Sequence, residues 1–282
     1  TIICRSMGLL FPVLRLDWPG FRKAANVYTQ PDLDNTEITV LTKLILSRLN
    51  KEYAVSLAFP INLVIGSDKE FLEHNWTQLN HSMSADTDFA SGYETSCNNN
   101  PDVGGFTNPG LVVICLPNSN VTSRFPGSTA TLQERTEFAK LQGTITHEIY
   151  HAAQFQLTGQ RVPSDVTERL AFWGPEWLLE GAAQYVALSS VYSGETLQSI
   201  LTKKLSAQAV STKEILNFSD VTASKEITAN AGIVLVEPLA RNVGASRLIA
   251  FYETLGLSGD WKVSFEKTFN ITHEEYVKKA IQ

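Results

Sequence analysis

The sequence predicts an α+β fold: a small N-terminal mixed α/β lobe built around a sheet, followed by a mainly helical C-terminal lobe. Three observations carry that expectation. Short runs rich in branched apolar residues, Phe59–Gly66 and Leu111–Leu116, fall in the first part of the chain. From Thr131 onward, apolar residues recur at helical spacing in one segment after another. Capping and breaking residues stand where those segments should begin and end. The expected division is an N-terminal extension over residues 1–24 and a single domain over residues 25–282. Its α/β lobe covers 25–158 and its helical lobe 159–282.

Taken in order, Ile38, Leu41, Leu44, Ile45 and Leu49 predict a helix over Thr36–Leu49. Phe59–Gly66 alternates and reads as a strand; Ser67 or Asp68 then caps a helix over Lys69–Leu79. Asn98-Asn99-Asn100-Pro101-Asp102 and Gly104-Gly105 mark residues 81–110 as a long loop. Leu111–Leu116, closed by Pro117, is a buried or edge strand. A long helix covers Thr131–Leu157, capped at Ser128 or Thr131, with Glu134 placed to complete a capping box and Gly159 just past its end. Pro175 opens a helix over Glu176–Val191. Further helices are expected over Thr196–Leu205, Ala229–Arg241, Ala245–Leu255, Trp261–Phe269 and His273–Ile281, the last capped by Thr272 with Glu275.

The formal charge of −6 and the lack of a Lys/Arg-rich block argue against a nucleic-acid binder, which needs a basic surface. No apolar run approaches the roughly 18 residues of a membrane span; Leu9–Leu16 and Ala231–Leu239 are short and interrupted. Cys97 and Cys115 bracket the loop region closely enough for a disulfide, with Cys4 left over; three buried thiols are the alternative. Five Asn-x-Ser/Thr sequons, at Asn75, Asn80, Asn120, Asn217 and Asn270, hint at a secreted or extracytoplasmic protein; the first residue, Thr1, fits either a cleaved signal peptide or an upstream segment that was never included. Asp86, Asp88, Glu94 and Asp102 lack the regular spacing of a calcium loop and read as solvated loop acids.

The chemistry is concentrated in His147-Glu148-Ile149-Tyr150-His151. On a helix, residues four apart are separated by only about 40° of rotation, so both imidazoles reach one ion. Glu148 stands beside them, where it can polarise water; the pattern is that of a zinc hydrolase. A catalytic zinc needs a third protein ligand and one open position. Position 157 is Leu and position 154 is Gln, so the third ligand is not a histidine six residues on. Glu180, in Trp177-Leu178-Leu179-Glu180-Gly181-Ala182-Ala183-Gln184-Tyr185, can meet both histidines if the two helices pack antiparallel. Gly181 and Ala182 permit close approach there, and Gln184 could bond the outer nitrogen of a ligating histidine. His74, His81 and His273 have no partner spacing and read as surface or core residues.

His147-Glu148-x-x-His151, followed by Trp177-Leu178-x-Glu180-Gly181-x-Ala183-x-Tyr185, resembles the gluzincin metallopeptidases, in particular the peptidase MA-like group. Residues 59–71 look like that family's strand and short helix, and 232–239 with 269–276 are similar to its closing helices, so the resemblance spans roughly residues 25 to 282, and the expected domain takes its bounds from that extent. It implies a zincin-like fold and a zinc-dependent peptidase acting on peptide or protein substrates. His147, His151 and Glu180 would be the metal ligands and Glu148 the catalytic base. Two positions depart from the family pattern. An acid is common where this chain has Gln184, and a tyrosine is common shortly before the glycine matching Gly232, where Ala229, Asn230 and Ala231 stand here. The oxyanion would then fall to Asn230, Tyr185, Tyr192, Tyr252 or to no side chain. Those departures also keep open a zincin-like protein that has lost activity and serves as a binding or scaffold module.

Overall fold

The computed structural model describes residues 25–80, 88–98, 100–117, 129–159, 171–208 and 225–281. The predicted extension 1–24, Cys4, His81, Asp86, Asn120 and Asn217 lie outside the described residues. The fold is mixed α/β, with one four-stranded sheet and a mainly helical remainder.

The sheet is formed by β1 (Ala25–Thr29), β2 (Ile61–Gly66), β3 (Gly104–Asn108) and β4 (Leu111–Cys115), in the order β1-β2-β4-β3. β1, β2 and β4 run parallel, and β3 is antiparallel to β4 at the edge. β4 is therefore interior, and β3 is the edge strand. Every residue of β4 is buried, which accounts for its unbroken apolar run: each face is covered. Val112 and Ile114 join the main core, while Leu111, Val113 and Cys115 join a second cluster with Trp76, Phe89 and Phe106.

α1 (Asn35–Tyr53) connects β1 to β2, its N-terminus capped by Asp34. α2 (Lys69–Leu79), capped by Asp68, and α3 (Phe89–Ser96), capped by Asp88, supply Leu72, Trp76 and Phe89 to the second cluster. Two of these elements overturn the expected long loop at 81–110, which contains α3 and β3. Cys97 and Cys115 are disulfide-bonded, tying the end of α3 to the end of β4 around the β3–β4 hairpin.

α4 (Leu132–Leu157) starts with the expected capping box between Thr131 and Glu134. Its second half is buried nearly all round because it lies between the sheet and α5 (Glu176–Val191). α6 (Gly194–Gln208), α7 (Lys225–Val243), α8 (Ser246–Ser258), α9 (Trp261–Phe269) and α10 (His273–Ile281) complete the helical part. α6 and α7 run several residues beyond their expected bounds. Thr272 and Glu275 bond reciprocally at the start of α10. The most extensive helix pairing among the described residues is α5 with α7. It is made possible by Gly181 facing Gly232: a Cβ at Gly181 would lie 2.5 Å from the Gly232 carbonyl carbon. The small residue at 181 thus serves an approach to α7 rather than to the histidine helix. No helix among the described residues is long and apolar enough to cross a membrane.

Candidate metal centre

α4 and α5 bring His147, His151 and Glu180 to one point. His151 Nε2 lies 3.0 Å from His147 Nε2. Glu180 Oε2 lies 3.4 Å from His147 Nε2 and 3.3 Å from His151 Nε2. A tetrahedral zinc with bonds of about 2.0–2.1 Å sets its ligand atoms about 3.3 Å apart. The three donors therefore form a triangle with the size of one face of such a tetrahedron. This His-His-Glu group could hold a metal ion, and it is the one group of its kind among the described residues.

The electrostatics fit a cation. Burial opposes charge on both Glu180 and His151, but each is offset by the other. The neighbouring histidines hold the Glu180 carboxyl well below the usual carboxylate range. Burial disfavours the His151 imidazolium, yet the Glu180 and Glu148 carboxylates outweigh it and push the His151 pKa up to about 9. Negative charge is thus concentrated around two imidazole nitrogens that point at each other, an arrangement suited to a positive ion.

His151 is held from behind. Its Nδ1 is 2.6 Å from Gln154 Oε1, and Gln154 Nε2 donates to the backbone oxygen of Leu179, next to Glu180. Gln154 is fully buried and ties the imidazole to the backbone of α5. With Gln154 Oε1 accepting, His151 keeps a proton on Nδ1, so that loss of the other proton frees Nε2 as a ligand. The ring also stacks on Phe155, which stacks on Trp173. This supporting role falls to Gln154, not to Gln184, which lines the cleft and makes no hydrogen bond to either histidine. Gln154 stands three residues after His151 on the same helix, a neighbour position readable from spacing alone.

Glu148 is buried beneath β3. Thr107 Oγ1 donates to its Oε2 at 2.7 Å. The triad and Glu148 line a cleft of about 1110 Å³ bounded by β3, α3, α4 and α5. Of the side chains considered for the oxyanion, Tyr192 lines this cleft; Tyr185 and Tyr252 do not, and the side chain of Asn230 lies outside those described. Tyr252 is buried with its hydroxyl directed to the Leu178 carbonyl. Three of the loop acids have local partners: Asp88 caps α3, Glu94 accepts from Asn98, and Asp102 pairs with Lys140. Compared with known proteins, the chain matches no family model, no curated sequence and no solved structure.

Proposed function

We propose that this protein is a zinc-dependent peptidase of gluzincin type, with a zincin-like fold, His147, His151 and Glu180 as ligands and Glu148 as general base. The observation that carries it is the triangle of donor atoms, with edges of 3.0, 3.3 and 3.4 Å, beside a buried carboxylate that is not one of its corners. Zinc bound there would supply a Lewis acid that polarises the peptide carbonyl and lowers the pKa of water to about 7. Glu148 takes a proton from the attacking water and hands it to the departing amine nitrogen. The substrate is an extended peptide laid along β3, whose second edge has no strand partner among the described residues and whose residues Gly104–Asn108 line the cleft.

A binding module that merely kept its metal ligands would have no use for a carboxylate at position 148, so the position of Glu148 favours chemistry over scaffolding. The Cys97–Cys115 disulfide and the sequons favour an extracytoplasmic location.

Metal analysis of the purified protein, with digestion of casein and mixed peptides with and without a chelator, tests the proposal. Glu148→Gln should keep its zinc and lose at least about a hundredfold in turnover. Full activity in that variant would reject Glu148 as base, and failure to take up zinc would reject the whole assignment.

A further inference from the structure

Two residues of β3 are shaped around Glu148. Gly105 and Thr107 are two apart on the strand and so share a face, opposite Phe106, which packs into the second hydrophobic cluster. On that shared face, a Cβ at Gly105 would lie 2.7 Å from Glu148 Cγ. The Thr107 hydroxyl lies 2.7 Å from Glu148 Oε2 and 3.2 Å from the Glu148 backbone oxygen. Its single proton is best used by the nearer, charged acceptor. The strand thus leaves space for the methylene of Glu148 at one residue and holds its carboxylate at another.

We infer that Thr107 is a positioning residue for the proposed reaction: it fixes one oxygen of Glu148 so that the other, Oε1, is presented to the attacking water. The inference rests on the peptidase assignment above. A glutamate side chain has three rotatable bonds, and a buried one without a partner would sample several arrangements or turn toward the histidines. One charge-assisted hydrogen bond selects a single arrangement before substrate arrives, the kind of preorganisation on which proton transfer depends. The same strand offers its outer edge to the substrate backbone. Peptide and base are therefore registered to one rigid element, and a substrate correctly paired with β3 is also placed relative to Oε1.

Thr107→Val keeps the branched shape and strand preference while removing the hydroxyl; Thr107→Ser keeps the hydroxyl. The expected result for Thr107→Val is a ten- to hundredfold fall in kcat, with KM and zinc affinity each within about twofold of wild type. Thr107→Ser should recover most of the loss. High-resolution crystal structures give a readout independent of activity: one Glu148 rotamer in the wild type and more than one in Thr107→Val. A Thr107→Val enzyme with unchanged kcat, or with Glu148 in its original rotamer, overturns the role given to Thr107. A proportional loss of zinc affinity also overturns it, because the hydroxyl would then be supporting the strand rather than the base. A wild-type protein that binds zinc and cleaves no peptide sinks the peptidase assignment itself, and the positioning role with it. An active wild type matched by Thr107→Val sinks only the latter.

Discussion

Substituting Gly181 by alanine separates two opposing effects on one residue. In an isolated helix the change is favourable, by about 0.8–1.0 kcal/mol, because glycine gives up more backbone freedom than alanine. Here the added Cβ would meet the Gly232 carbonyl carbon at 2.5 Å and its Cα at 2.7 Å, whereas ordinary contact begins near 3.4 Å. α5 and α7 must then part by about 0.9 Å along their most extensive contact. Overpacking of that kind costs about 1–3 kcal/mol, so it outweighs the helix-propensity gain. If α5 yields, Glu180 moves against histidines fixed on α4, and its oxygen leaves the 3.3–3.4 Å spacing at which it now stands. Metal–ligand bonds tolerate only about 0.2 Å. Gly181→Ala should therefore melt several degrees below wild type and bind zinc at least about tenfold more weakly. Thermal melts with and without chelator, together with competition against a zinc indicator, measure both. A variant that melts higher than wild type and holds zinc equally well would show that α5 and α7 do not touch at these glycines.

The remaining predictions concern the proton and the support at the same site. With His151 raised to about 9 in the metal-free protein, zinc uptake near pH 7 should release a proton, and apparent affinity should climb with pH until about 9. Calorimetry in buffers of different ionisation enthalpy counts that proton, and a pH-independent affinity would contradict the raised value. A raised histidine pKa also contributes stability to the metal-free protein that is fully present below pH 6.5 and is lost as pH rises through about 9. Melts in chelator at pH 6 and pH 9.5 should show this loss, with a smaller one in His151→Phe. Gln154→Leu, which removes the acceptor behind His151 without opening a cavity, should weaken zinc binding about ten- to a hundredfold. Unaltered affinity would mean that Phe155 stacking alone orients the ring.

What could be read from the sequence was local. Thr131 with Glu134 and Thr272 with Glu275 announce helix starts because a capping box is a relation across only four residues. His147 and His151 were legible as a pair because helical spacing dictates which side chains share a face, whereas Glu180, on the next helix, joined them only through an assumed helix packing and a family resemblance. β3 was not legible. Gly-Gly-Phe-Thr-Asn is a poor strand former by composition, and it is a strand because β4 supplies its hydrogen bonds. The place of Gln154 beside His151 follows from their three-residue spacing, but that it and not Gln184 bonds the ring depends on which face α4 turns toward α5.

Gly105 and Gly181 explain why the hidden part lies so close to the chemistry. Each stands beside a carboxylate of the site: Gly105 over Glu148, and Gly181 next to Glu180 at the α5–α7 crossing. At Gly105 the absence of a Cβ leaves room for the methylene of Glu148, and at Gly181 it lets α7 approach the helix that carries Glu180. Glycine carries no functional group, so a search for chemical residue types passes over it, and in β3 its presence reads as a turn. The close packing beside the two acids therefore left its mark in the sequence at positions that look unstructured or neutral, and only the contacts of β3 with α4 and of α7 with α5 show what they accommodate: the side chain of Glu148 in one case, the backbone of α7 in the other.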